Sequence, residues 1–216
     1  MKRIMILLLL AFSVGCEIKI ETDFDANREK QEEEAALQEE VQRKEKVQAA
    51  YDKGQEFTEL EQWGEAIKCY TEVIELDPEH SQAFFARGVA QGGSGEFGNA
   101  IDDLSQAITI DPDYHEAYRY RASAYGATGD YDAAINDFTE AIRIKPEDPT
   151  SYYSRAVKHT RQGNSKRALE DFSEAIRLKT DNPLAYLLRG RVYFDRGEEE
   201  KAKEDFAVAR SMGLIR

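Results

Sequence analysis

Residues 87–112 read RGVAQGGSGEFGNAIDDLSQAITIDP, and residues 121–146 read RASAYGATGDYDAAINDFTEAIRIKP. The second stretch is the first moved on by 34 residues, with the same apolar spacing, the same Arg and Asp, and the same closing Pro. The next step gives RAVKHTRQGNSKRALEDFSEAIRLKT at 155–180, and one more gives RGRVYFDRGEEEKAKEDFAVARSMGL at 189–214. One step back gives KGQEFTELEQWGEAIKCYTEVIELDP at 53–78. Self-similarity at a fixed period of this length describes a row of like helical units, each burying its apolar face on its neighbours. Five such units tile the chain: 47–80, 81–114, 115–148, 149–182 and 183–216.

Each unit holds two helix-length patterns, A and B, divided in units two to five at the fifteenth position by Gly95, Gly129, Gly163 or Gly197. A glycine there is expected to end helix A in a left-handed turn. Position 8 is small (Gly54, Gly88, Ala122, Ala156, Gly190), and position 20 is always Ala. Position 24 is Tyr70, Leu104, Phe138, Phe172 or Phe206, and position 27 is again small, Val73 and then Ala in the other four units. Small residues let helix A lie close to helix B and to the next unit, and large ones fill the remaining gaps. With an aromatic at position 4 (Phe84, Tyr118, Tyr152, Tyr186) and Pro at position 32 (Pro78, Pro112, Pro146), the pattern resembles the tetratricopeptide repeat. The resemblance covers about four-fifths of the chain. It implies an all-α fold: a right-handed α-solenoid of five helical hairpins with an N-terminal tether helix.

That register disposes of a second motif. Gly93, Gly95 and Gly98 spell G-x-G-x-x-G, the spacing of a dinucleotide-binding loop. The loop requires a preceding strand, and here it falls at a turn between two helices. Other catalytic signatures are missing from the sequence, and three His and two Cys are too few for a disulfide framework or a clustered metal site. The sequence is therefore read as a non-enzyme with no cofactor and no metal. A net charge of −13 argues against nucleic acid as a partner. His159 takes an aromatic slot and is read as packing.

Two polar residue types recur with the period. Arg87, Arg121, Arg155 and Arg189 stand at position 7, and Asp103, Asp137, Asp171 and Asp205 at position 23. The guanidinium fork suits a carboxylate, so these are read as a structural Arg/Asp ladder. The first unit departs, with Lys53 and Cys69 in the two slots, and Cys69 is read as an inert, partly buried thiol.

The resemblance also implies a concave face, built by the A helices, that binds a protein or peptide. Carried onto this chain, its groove positions are Tyr51, Gln55, Phe85, Val89, Arg119, Ser123, Tyr153, Val157, Arg161, Leu187 and Arg191, with Glu59 and Phe194 beside them. Phe85, Tyr153, Leu187 and Phe194 are expected to face solvent unless the tether or a dimer mate covers them. Tyr51 and Gln55 stand where the chaperone-tail binders of the family carry a Lys and an Asn, which argues against that specificity. Charge is uneven: residues 47–148 carry 21 acids and 7 bases, whereas 149–216 carry 10 acids and 14 bases. The basic end would attract an acidic segment, or the acidic end of a second copy in a homodimer.

At the other end, MKRIMILLLLAFSVGC has two cationic residues and an apolar run from Ile4 to Phe12, too short to span a bilayer. Its close, Ser13-Val14-Gly15-Cys16, resembles the lipobox of bacterial lipoproteins, although Ser13 stands where the family usually has Leu. The resemblance implies a signal peptide over 1–15, lipidation of Cys16, membrane attachment through it, and an envelope location. Glu17 favours the outer membrane if the organism has one. The alternative is a secretory signal that ends in Gly-Cys without acylation. Residues 16–46 are expected to hold a mobile linker (17–27), then a charged spacer helix capped by Asp25 or Asn27, with Glu40–Lys44 paired. The expected function is that of a non-catalytic scaffold or adaptor, in layout like lipoproteins that serve as pilotins, outer-membrane assembly components or adaptors for peptidoglycan enzymes. The alternative is a structural subunit of an envelope assembly whose groove is filled by its own tether or a dimer mate.

Overall fold

The computed structural model describes residues 2–178 and 182–214, with side-chain surroundings from residue 27 onward. Ten helices follow one another among the described residues. They are α1 (Lys2–Glu59), α2 (Trp63–Leu76), α3 (Ser81–Ser94), α4 (Phe97–Ile110), α5 (His115–Thr128), α6 (Tyr131–Ile144), α7 (Pro149–Arg161), α8 (Ser165–Arg177), α9 (Pro183–Asp195) and α10 (Glu199–Ser211). The chain divides into two units, residues 1–49 and 50–216.

In the first unit α1 is charged and its residues 27–46 are exposed. Ion pairs one turn apart line it: Arg28–Glu32 at 3.7 Å, Lys30–Glu34 at 3.8 Å and Glu40–Lys44 at 2.6 Å. The expected linker over 17–27, and a cap at Asp25 or Asn27, are corrected: α1 runs through this stretch. It holds neither Pro nor Gly, so nothing in it stops a helix once one has formed. The side chain of Cys16 lies outside the described residues. Among the described residues no helix is long and apolar enough to cross a membrane.

The second unit is an α-solenoid. Its A helices are the end of α1 (from Ala50), α3, α5, α7 and α9, and its B helices are α2, α4, α6, α8 and α10. From α2 onward each helix packs on the next, and α3 touches α5 and α7 touches α9. Gly95 and Gly129 end α3 and α5 at φ of 87° and 89°, the left-handed turn that their position was expected to supply. In the first repeat this corner falls to Glu61, which holds φ 54° with a side chain. The helices α2, α4 and α6 end before Asp-Pro or Lys-Pro, and α3, α7 and α9 start on side-chain caps. Asp148 accepts from the amides of Thr150 and Ser151, Asn182 accepts from Leu184, and Pro149 and Pro183 follow at the first helical position.

The core is a row of small buried clusters along the stack. Every position-20 Ala is at most 1% exposed, and Tyr70, Leu104, Phe138 and Phe172 are buried against position 8. A Cβ on Gly54 would lie 2.6 Å from Tyr70, one on Gly88 2.8 Å from Leu104, and one on Gly190 2.8 Å from Phe206. Small residues are thus required there by the approach of helix B.

The ladder joins the repeats. Arg87 donates to Asp103 at 2.6 and 2.8 Å, Arg121 to Asp137 at 2.7 and 2.8 Å, and Arg155 to Asp171 and Arg189 to Asp205 at 2.8 and 2.7 Å each. The third nitrogen of each Arg donates to a hydroxyl on the preceding B helix: Thr71, Ser105, Thr139 and Ser173, at 2.9–3.1 Å. Those hydroxyls donate in turn to the carbonyl four residues back, leaving their lone pairs for the arginine. Each guanidinium also lies 5.5–5.8 Å from the position-4 ring of its own helix. One Arg thereby ties two B helices to one A helix. Cys69, in the acid's place in the first repeat, is a buried free thiol whose pKa is raised by burial.

Candidate binding groove

Along the concave face the structure separates the groove residues into two neighbourhoods. Over repeats 1–3, Tyr51, Gln55, Phe85 and Val89 line a cavity of about 510 Å³ with Tyr114 and Tyr120. The rings form a shelf: Phe85 lies 4.9 Å from Tyr114 and edge-on to Tyr120 at 5.3 Å, and Tyr51 stacks on His80 at 5.3 Å. Burial raises the pKa of Tyr51 and of Tyr114, so both stay neutral donors at ordinary pH. Val89 and Tyr120 also border a second cavity, of about 270 Å³, with Trp63, Phe97, Leu104 and Ser123 around it. Its wall on α3 is Gly88, Gly92 and Gly93, and on α5 it is Ala124. The indole of Trp63 covers Gly93, whereas a Cβ on Gly92 would meet nothing within 4 Å.

Over repeats 4–5 the lining changes to Val157, Thr160, Arg161, Leu188 and Arg191 around a cavity of about 430 Å³. Here Lys158 occupies the space above Gly126, the position equivalent to Gly92. Burial and the charge of Arg161 push the Lys158 ammonium below the usual lysine range. Among the described residues none of Lys158, Arg161 and Arg191 has a carboxylate partner.

Several groove expectations need correction. Phe85, Tyr153 and Leu187 are half-buried rather than solvent-facing, and Phe194, at 59% exposure, alone of the four projects as expected. Repeat neighbours account for the cover: Tyr114 and Tyr120 for Phe85, and Phe172, 5.9 Å from its ring, for Tyr153. Arg119, grouped by position with Arg161 and Arg191, is instead turned to Asp148 at 3.5 Å. Burial disfavours the Asp148 carboxylate, yet its pKa falls below the usual range, because the Ser151 hydroxyl, the Arg119 charge and two amides outweigh it. Buried His115 reaches the same carboxylate at 3.4 Å. Arg119 therefore belongs to a packed polar cluster and not to the open cationic surface.

Position-by-position transfer also missed four residues. Tyr120 and Leu188 share position 6, where the other repeats carry Asp52, Ala86 and Ser154, so no recurring type marked it. Tyr114 sits in the connection between repeats, and Trp63 opens a B helix. His159 is buried against Asp171, 3.9 Å away, and its pKa is lowered by burial, in keeping with packing. Among the described residues no group of His, Cys, Asp and Glu is arranged to hold a metal ion.

Family models described as "Tetratricopeptide repeat" match residues 90–151, 119–183 and 153–212, and one described as "TPR repeat" matches 54–95. No curated protein sequence matches the chain significantly. Among solved structures, a MamA protein superposes with a TM-score of 0.71 at 24% identity, over 78% of this chain and 92% of that one. Pseudomonas aeruginosa pilF gives 0.71 at 18% identity, over 79% of this chain and 78% of that one. YrrB, described as a TPR protein with an unusual peptide-binding site, gives 0.65 at 15% identity, over 76% and 84%. At these identities the likeness is one of fold. With the repeats matched in sequence from residue 54 to 212 and the hairpins stacked through the ladder, the chain belongs to the tetratricopeptide repeat family.

Proposed function

We propose that this protein is a non-catalytic adaptor at the bacterial cell envelope, attached to a membrane through lipidated Cys16, and that it holds a partner peptide or protein segment in its concave groove. The observation that carries the reading is the groove's N-terminal half. There Tyr120 stays 43% exposed at the junction of two cavities, beside the half-buried Phe85 and Tyr51. Aromatic rings left open to water around a hollow are a solubility cost that a bound segment removes. The peptide-binding site named for YrrB, a protein of like fold, supports the same use of the surface. The lipobox-like Ser13-Val14-Gly15-Cys16 supports the anchor.

The test is capture from envelope extract with wild-type protein, with Tyr120→Glu and with the pair Arg161→Glu and Arg191→Glu, read by mass spectrometry. A partner retained by wild type and lost by both variants fits the groove; equal capture by all three moves binding elsewhere. For the anchor, labelling with a palmitate analogue should tag wild type and spare Cys16→Ala.

A second reading rests on Leu37 and Val41, one turn apart on α1 and 63% and 47% exposed. This small apolar pair gives the tether something to dock with, on a second copy or in the groove of an assembly subunit. A sedimentation mass that does not change with concentration removes the dimer form of it.

A further inference from the structure

The two cavities that share Val89 and Tyr120 differ in what made them. Gly92 on α3 and Ala124 on α5 correspond, one repeat on, to Gly126 on α5 and Lys158 on α7. In the α5–α7 contact Lys158 fills the space above Gly126. In the α3–α5 contact the same place faces Ala124, whose methyl is too short to cross, and Gly92 offers no side chain from its side. The space left is the cavity of about 270 Å³, walled by Trp63, Val89, Phe97, Leu104, Tyr120 and Ala124. It is nearly all apolar and opens beside an exposed ring, so it suits a side chain and not a charged group. One or two A helices further along the same face stand Lys158, Arg161 and Arg191, cations without carboxylate partners among the described residues. Neighbouring A helices lie roughly 10 Å apart, and an extended peptide covers about 3.3 Å per residue. The step from the cavity to the cations is therefore about three to six residues of bound segment.

We propose that the groove recognises a segment with one bulky apolar anchor, an aromatic, Leu or Met, seated in the Gly92–Ala124 cavity, and two or more carboxylates about three to six residues away, meeting Arg161, Arg191 and Lys158. This deepens the adaptor reading and rests on it. Charge complementarity selects the acidic flank: the chain carries −13 overall, yet this end of its concave face is cationic. Hot-spot logic selects the single anchor, since a desolvated pocket ringed by ordinary contacts carries most of the energy of such a complex.

The experiment is a random 12-residue peptide display selection on the full-length chain. The baits are wild type, Gly92→Leu, Ser123→Leu and the pair Arg161→Glu and Arg191→Glu. Gly92→Leu enters open space from one wall and Ser123→Leu, at an exposed position, from the other. Circular dichroism melts first confirm that each bait is folded. Wild type should enrich one fixed apolar position with acidic residues at the stated spacing. Either cavity-filling variant should lose the apolar position and keep the acidic one, and the Arg pair should do the reverse. Affinity for a wild-type-selected peptide should fall at least about tenfold in the filled variants, the factor that burial of one such side chain supplies. Enriched peptides without a fixed apolar residue, or a consensus unchanged by both filled variants, overturn this proposal while leaving the adaptor reading intact. No enrichment on wild type overturns both.

Discussion

Repeats 1–3 and repeats 4–5 share one backbone plan and one polar ladder, yet they line the concave face with opposite chemistry. The N-terminal part is aromatic and hollow, with Tyr51, Phe85, Tyr114 and Tyr120 around two cavities. The C-terminal part is cationic and more filled, with Lys158 lying across Gly126. The difference teaches where this fold keeps its freedom. Positions 7, 8, 20, 23 and 24 hold A to B and repeat to repeat, and they hardly vary. Positions 5, 6, 9, 10 and 12 vary from repeat to repeat, and they carry whatever chemistry the groove needs.

The largest expected effect tests whether the scaffold is the same in both halves. Asp137→Ala and Asp171→Ala should each cost about 3–5 kcal/mol, because each leaves a mostly buried guanidinium without its carboxylate. Chemical denaturation midpoints should fall by like amounts, and a cost in only one half would break the equivalence. Next comes a contrast one turn apart in α3. Gly88→Ala forces a methyl to 2.8 Å from Leu104 and should destabilise by about 1–3 kcal/mol. Gly92→Ala meets nothing and should stabilise by about 1 kcal/mol through helix propensity. Thermal melts of the two variants should therefore move in opposite directions.

Glu61→Gly relieves a side chain held at φ 54° and should add about 1 kcal/mol, raising the melting temperature without changing binding. The smallest effect concerns Lys158. Its folded pKa lies below the ordinary value of 10.5, so above neutrality the unfolded chain keeps this proton longer than the folded one. Stability from this group therefore rises with pH as 10.5 is approached, and Lys158→Met should flatten that rise and raise stability at neutral pH. Denaturation curves at about pH 8 and about pH 10 would show it. A variant less stable than wild type at both would mean that the ammonium has a stabilising partner in the groove.

Much of the ladder was legible in one dimension because it repeats. Arg and Asp recur sixteen residues apart within a repeat, and the structure joins them at that separation. A third member is equally periodic: Thr71, Ser105, Thr139 and Ser173 at position 25. The first repeat departs from the pattern, with Lys53 and Cys69 in place of Arg and Asp, and the fifth carries Ala207 at position 25. The groove was read less well. Arg119 shares its spacing with residues that face the groove, but the Asp148 cap beside it takes its charge. Tyr120 sits at a position with no recurring type, so periodicity could not single it out.

The sequence by itself determined the helical hairpins, their number, the turn glycines and the residues that lock one repeat to the next. Such contacts are made at constant separation along the chain, and constant separation leaves a period. Only the tertiary structure decided which groove residues are open, which cation is already paired and where a cavity remains. Those depend on the side chain that the next helix happens to place across the gap: Ala124 opposite Gly92, and Lys158 opposite Gly126.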